Sequence, residues 1–177
     1  MILVNLYGSP GSGKSTGAAN IFSKLKMAGV NAELVTEFAK DKVYEGSKKV
    51  FDNQAYIFGK QYFRITRCQD DVDVIITDSP LPLSIIYNKD PVLGETFNQL
   101  VREVISQYDT MDYFVFRDKP YNPKGRFQNE EESNELATEI FEFLESEKIT
   151  FCPIKGNEDG YDKVVRHILE RLGKNDK

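Results

Sequence analysis

Eight residues near the start of the chain, Gly8-Ser9-Pro10-Gly11-Ser12-Gly13-Lys14-Ser15, follow the spacing G-x-x-x-x-G-K-[ST]. Each residue type in that pattern has a part in holding phosphate. Glycines let the backbone curl so that successive N–H groups point inward at phosphate oxygens, and the start of a following helix adds partial positive charge. Lysine neutralises the β- and γ-phosphates, and the Ser15 hydroxyl coordinates Mg²⁺. A chance match should arise in roughly one chain in a hundred or fewer of this length. Gly8, Ser9, Gly11, Ser12, Gly13, Lys14, Ser15 and Thr16 are therefore the candidate residues for binding ATP, with magnesium. A second carboxylate belongs with them. Asp78 follows the apolar run Val74-Ile75-Ile76-Thr77, and an acidic residue at the end of a buried strand can hold the magnesium shell from across the pocket. By itself, an aspartate before Ser79-Pro80 is usually a turn former. The phosphate loop tips the reading towards metal, with Ser15 and Asp78 as the pair.

These residues need a scaffold that brings strand ends to one edge. Five β-rich runs, Ile2 to Tyr7, Ala32 to Glu37, Val72 to Thr77, Asp112 to Arg117 and Ile149 to Ile154, alternate with segments of helical period. That order predicts an α/β fold with a five-stranded parallel sheet and helices on both faces. The first helix is predicted over Lys14 to Met27, stopped by Gly29. A longer one is predicted over Lys48 to Cys68, with Phe51, Ala55, Phe58, Tyr62 and Ile65 as its apolar stripe. Three more follow around Val101, Ile140 and Ile168. At 177 residues the chain suffices for one domain, residues 1–177. Asp118 to Asn129, with Pro120, Pro123 and Gly125 among Lys119, Lys124 and Arg126, reads as a long polar loop.

Composition narrows the partners. Twenty-three basic against 28 acidic residues, and a pI near 5.1, give no broad attraction to nucleic acid, so DNA would need a local basic patch. Cys68 and Cys152 are single and distant, which fits a reducing cytoplasm better than a disulfide framework or a zinc site. No signal peptide or membrane span is read. A guanine-reading switch would need Asn-Lys-x-Asp, and Asn88-Lys89-Asp90-Pro91 misplaces the aspartate. A motor ATPase brings a larger body and further sensor elements.

In open α/β sheets ligands lie beyond the carboxyl ends of the strands. This points to Glu37, as a partner for the hydroxyl of an acceptor, and to the helix carrying Gln54, Gln61, Arg64 and Arg67. Gln54 and Gln61 are seven apart, on one helix side, where either amide can read the edge of a base. Arg64 is a candidate for an acceptor phosphate. His167 lies among Val164, Val165 and Ile168 and reads as a packing or surface residue.

Taken together, the phosphate loop, Asp78 and the polar loop make the chain resemble the small P-loop kinases of the thymidylate and nucleoside kinase group. The resemblance implies a lid over about residues 118–129 that closes on the phosphates, with Arg117 and Arg126 as its catalytic cations beside Lys14, Glu37 and Asp78. Thr36-Glu37-Phe38-Ala39-Lys40-Asp41 is similar to the Glu-Tyr-Ala-Arg segment of nicotinamide riboside kinases. Those segments, with Asn53-Gln54, Phe58-Gly59-Lys60-Gln61, Asp78-Ser79-Pro80 and Lys119 to Arg126, also resemble bacteriophage members, some of which phosphorylate 5-hydroxymethyluracil in DNA. The resemblance thus implies ATP-dependent phosphorylation of a nucleoside-type acceptor, either that base in modified DNA, inside the host cytoplasm, or a free nucleoside or nucleotide. A regulatory ATP-binding module is the rival from another class.

Overall fold

Five short runs rich in β-branched and aromatic residues pair side by side in the computed structural model, which describes residues 1–122 and 129–174. They are β1 (Ile2–Tyr7), β2 (Ala32–Val35), β3 (Val74–Thr77), β4 (Asp109–Phe116) and β5 (Phe151–Lys155), all parallel, in the order β2-β3-β1-β4-β5. Parallel neighbours need crossover connections, and helices supply them. The helices are α1 (Lys14–Met27), α2 (Phe38–Tyr44), α3 (Gln54–Thr66), α4 (Leu83–Tyr87), α5 (Gly94–Ile105), α6 (Glu130–Ser146) and α7 (Glu158–Arg171). Every residue of the central strand β1 is buried, as expected for a strand covered on both faces.

The chain forms three layers. On one face, Val4 and Leu6 pack with Ile21 and Leu25 of α1 and Val164 and Ile168 of α7. On the other, Leu3 and Ile75 pack with Phe58 and Ile65 of α3 and Val101 of α5, while Tyr7 and Phe114 meet Ile140 and Leu144 of α6. His167 stays in the packing role, its ring 3.3 Å from the Tyr113 hydroxyl.

Several expected boundaries shift for local reasons. The helix predicted from Lys48 to Cys68 is two pieces, a 3-10 turn over Lys48–Asp52 and then α3. Asn53 divides them because its side-chain oxygen accepts the Tyr56 N–H, capping α3 with one of its otherwise unpaired donors. The split turns Phe51 away from the apolar stripe. β2 ends at Val35, two residues early, and β4 begins at Asp109, three early, alongside Ile2 of β1. The short helices α2 and α4 went unpredicted, since seven and five residues carry too little periodicity to read. Glu130, Glu131 and Glu132 fill the first turn of α6, and Asn129 and Glu132 form a reciprocal capping box there. Of the lid expected over Asp118 to Asn129, residues 123–128, including Lys124, Gly125 and Arg126, lie outside the described residues. Among the described residues no helix is long and apolar enough to cross a membrane.

Candidate active site

β1 delivers the chain into the phosphate loop, and α1 takes it away. Gly8 and Gly13 have φ of 138° and 106°, a region L side chains avoid. Space excludes a side chain too: a Cβ on Gly8 would stand 2.7 Å from the Val115 carbonyl oxygen, and one on Gly13 2.6 Å from the Tyr161 hydroxyl. The loop is thus held open as a backbone cradle, with Gly13 capping α1. Lys14 arches over it, its Nζ donating to the carbonyl oxygens of Gly8 (2.6 Å) and Ser9 (3.0 Å). Ser15 and Thr16 follow in the first turn of α1 and line the same cleft.

Three residues that the sequence reading missed brace this loop from elsewhere. The hydroxyl of Ser133, fully buried on α6, lies 2.8 Å from Pro10 O and 3.1 Å from Ser9 Oγ. Tyr161 of α7 donates its hydroxyl to Gly13 O at 3.0 Å, and its ring fills the space beside Gly17, where a Cβ would come within 2.5 Å. Gly156, just past β5, packs so tightly that a Cβ there would meet Ser12 O at 2.0 Å. A serine in a glutamate-rich helix start announces no such partner. Gly156, directly after the last strand, is the one signal that was available.

β3 neighbours β1, with Asn5 opposite Thr77, so the residue that follows β3 stands beside the phosphate loop. That residue is Asp78, 4% exposed, whose Oδ1 accepts the Glu37 N–H at 3.1 Å. Glu37 occupies the N-cap position of α2 yet its side chain makes no cap bond. Burial pushes the Glu37 carboxyl above the usual carboxylate range; Lys14 opposes that rise and Asp78 adds to it. Lys14, Glu37 and Asp78 therefore form one electrostatic group.

A cleft of about 590 Å³ runs from the phosphate loop past Glu37 and Asp78 to an end walled by Val43, Phe51, Ile57, Leu83 and Tyr87. Gln54, only 8% exposed, lines that end, and among the described residues its amide has no hydrogen-bond partner. Gln61 borders the cleft with its amide bonded into the protein. Two expected contributors stand away from it. Arg64 lines none of the cleft: it donates to Thr36 O (3.0 Å) and Thr36 Oγ1 (3.3 Å), pairs with Asp41 and lies over the Phe38 ring. Arg117, just beyond β4, pairs with Glu130 at 3.3 Å, bonds Asn134 and stacks over Tyr121. Acceptors from neighbouring segments hold the Arg64 guanidinium, whereas Arg117 is held through Nη2 and its buried Nη1 has no hydrogen-bond partner among the described residues. Arg126 lies outside the described residues.

The donor set fits a hard divalent cation, since the Ser15 hydroxyl and the Asp78 carboxylate, both oxygen ligands, face one cleft. The glycine-lined cradle, where added side chains would collide, likewise fits a run of phosphate groups approaching the backbone.

Comparison with known proteins agrees with this fold. Among solved structures the chain is similar to deoxyadenosine kinase from M. mycoides with bound dATP, at 18% identity and a TM-score of 0.56, covering 97% of this chain and 99% of that one. It is similar to thymidylate kinase from Candida albicans at 16% identity and a TM-score of 0.60, over 99% and 95% of the two chains. The NadR protein in complex with NAD and AMP-PNP matches at 16% identity and a TM-score of 0.66, over 99% of this chain and 50% of NadR. No curated protein matches the sequence. Residues 3–159 match the family model described as an AAA domain, and the chain accordingly belongs to that family, on the α/β fold shared with these P-loop kinases.

Proposed function

We propose that this protein is a kinase that transfers the γ-phosphoryl group of ATP to a hydroxyl of a nucleoside-type acceptor. The observation that carries the reading is the continuity of the cleft. One end is a phosphate cradle, the other is an aromatic-walled space where the Gln54 amide has no hydrogen-bond partner among the described residues, and Glu37 and Asp78 line the same cleft. A regulatory module that only binds ATP has no use for the second end. The likeness to a deoxyadenosine kinase and a thymidylate kinase supports the same reading.

The residues divide the work by chemistry. The loop from Gly8 to Thr16 holds the triphosphate, with Lys14 moving from its loop carbonyls to the phosphates. Ser15 and Asp78 would hold Mg²⁺, which supplies charge neutralisation at the transferring group when bound. Glu37 accepts the proton of the acceptor hydroxyl, and its raised proton affinity suits it to that task. Gln54 offers one donor pair and one acceptor to the edge of a planar base lying among Phe51, Ile57 and Tyr87. Lid cations, Arg117 and Arg126 among them, would complete the charge around the phosphates on closure, which for Arg117 means leaving Glu130 and Asn134.

Lys40 and Lys89 line the cleft together with Glu37 and Asp78, so a free nucleoside and a free nucleotide both fall within the proposed acceptor class. A second reading, the hydroxymethyl group of 5-hydroxymethyluracil in DNA, has one observation in its favour: Lys48 and Lys49 are exposed on the 3-10 turn that brings Phe51 to the cleft. The test is transfer of labelled γ-phosphate to free nucleosides and nucleotides, and to DNA with and without 5-hydroxymethyluracil, with Lys14→Ala as blank. Label on free nucleosides or nucleotides supports the first reading. Label confined to the modified DNA, weakening steeply with salt, replaces it with the second. ATP turnover with no labelled acceptor, unaffected by Glu37→Gln, leaves the regulatory module.

A further inference from the structure

Gln61 lies on α3, 4% exposed, and both ends of its amide are engaged. Its Oε1 accepts the Phe38 N–H at 2.9 Å; its Nε2 lies 3.3 Å from Thr36 O and 3.4 Å from Thr77 Oγ1. Thr36 and Phe38 are the two neighbours of Glu37, and Thr77 is the neighbour of Asp78. Glu37 itself gives its N–H to Asp78. One side chain thus grips the backbone on either side of Glu37 and ties it to the strand end that carries Asp78.

We propose that Gln61 is a positioning residue for phosphoryl transfer, fixing the Glu37 carboxylate relative to Asp78 and the acceptor hydroxyl; this role rests on the kinase reading of Glu37. The chemistry of the clamp calls for an amide. Thr36 presents a carbonyl and Phe38 an N–H, so the group between them must donate and accept at once, which a carboxylate or an ammonium cannot do. Glu37 makes no cap bond that would orient its carboxylate independently, so the backbone clamp sets where it stands. An amide held in this way has no donor pair left over for a base, which separates Gln61 from Gln54 although both border the cleft.

The experiment is a two-residue cycle on the full chain: wild type, Gln61→Met, Glu37→Gln and the double variant. Each is assayed for phosphoryl transfer to the four free deoxynucleosides and to 5-hydroxymethyluracil DNA, with Mg·ATP binding measured separately. Misplacing a catalytic group by about 1 Å costs on the order of a hundredfold in rate, so Gln61→Met is expected to lower kcat by roughly ten- to a hundredfold. The KM for the acceptor and the binding of Mg·ATP should stay within about threefold, and Gln61→Met added to Glu37→Gln should remove nothing further. Effects that multiply in the double variant overturn the proposal. So does a kcat that holds while acceptor KM or base preference changes, which would make Gln61 a reader of the acceptor. If Glu37→Gln leaves kcat intact, or no acceptor is labelled, the kinase reading of Glu37 falls and takes this role with it. If Glu37→Gln slows transfer and Gln61→Met does not, only the positioning role falls. Should Gln61→Met fail to fold, Gln61→Glu keeps an acceptor for the Phe38 N–H. A smaller loss of kcat with the same non-additivity is then expected, and a multiplying loss overturns the proposal.

Discussion

The two ends of the cleft are built on different principles. The phosphate end is made of backbone from one continuous stretch, Gly8 to Thr16, held in a shape that only glycine permits at Gly8 and Gly13. The end proposed for the acceptor is made of side chains from scattered elements: Glu37 at the start of α2, Phe51 from the 3-10 turn, Gln54 from α3, and Leu83 and Tyr87 from α4. Backbone N–H groups serve any triphosphate, whereas side chains select. The phosphate cradle thus belongs to a local sequence, while the rest of the cleft belongs to tertiary packing.

Mutations at the two ends should therefore fail differently. The largest effect is expected at the phosphate end, where Lys14→Ala should reduce transfer to every acceptor on the order of a thousandfold, by removing charge from the transferring group. Labelled-phosphate assays measure it, and a selective loss on one acceptor would break the division. Next comes the joint. Glu37→Gln should lower kcat about a hundredfold while calorimetric ATP affinity stays level; a parallel fall in ATP affinity would mean the ends are not separable. Within the acceptor end, Gln54→Ala should raise acceptor KM roughly tenfold, or about 1.4 kcal/mol, and change the ranking among bases with little change in kcat. Uniform weakening across acceptors would remove Gln54 as a reader. The smallest effect is expected at the brace beneath the phosphate loop, where Ser133→Ala should weaken ATP binding roughly fivefold, near 1 kcal/mol for one buried hydrogen bond. Acceptor preference should not move.

The same division explains what could be read in advance. β1 and α1 run over the predicted residues, and the phosphate loop between them is contiguous. Asp78 was legible because an apolar run ends at it. The acceptor side was legible only in outline. Glu37 and Gln54 border one cleft, yet their helix spacing did not separate Gln54, with its unpartnered amide, from Gln61, whose amide is fully engaged at Thr36, Phe38 and Thr77. Nor did it place Arg64 and Arg117, whose acceptors come from other segments: Asp41 lies 23 residues from Arg64 and Asn134 lies 17 from Arg117.

By itself the sequence determined a parallel α/β sheet and a phosphate loop, because hydrophobic period and glycine spacing act within a few residues of their cause. Tertiary structure alone decided that Ser133, Gly156 and Tyr161, each more than 120 residues from the loop residue it touches, would meet the loop. It also decided that the Gln61 amide would be engaged at Thr36, Phe38 and Thr77 while the Gln54 amide has no hydrogen-bond partner among the described residues. Those outcomes depend on side chains that only the fold brings together, where most buried polar groups find a partner from a distant segment.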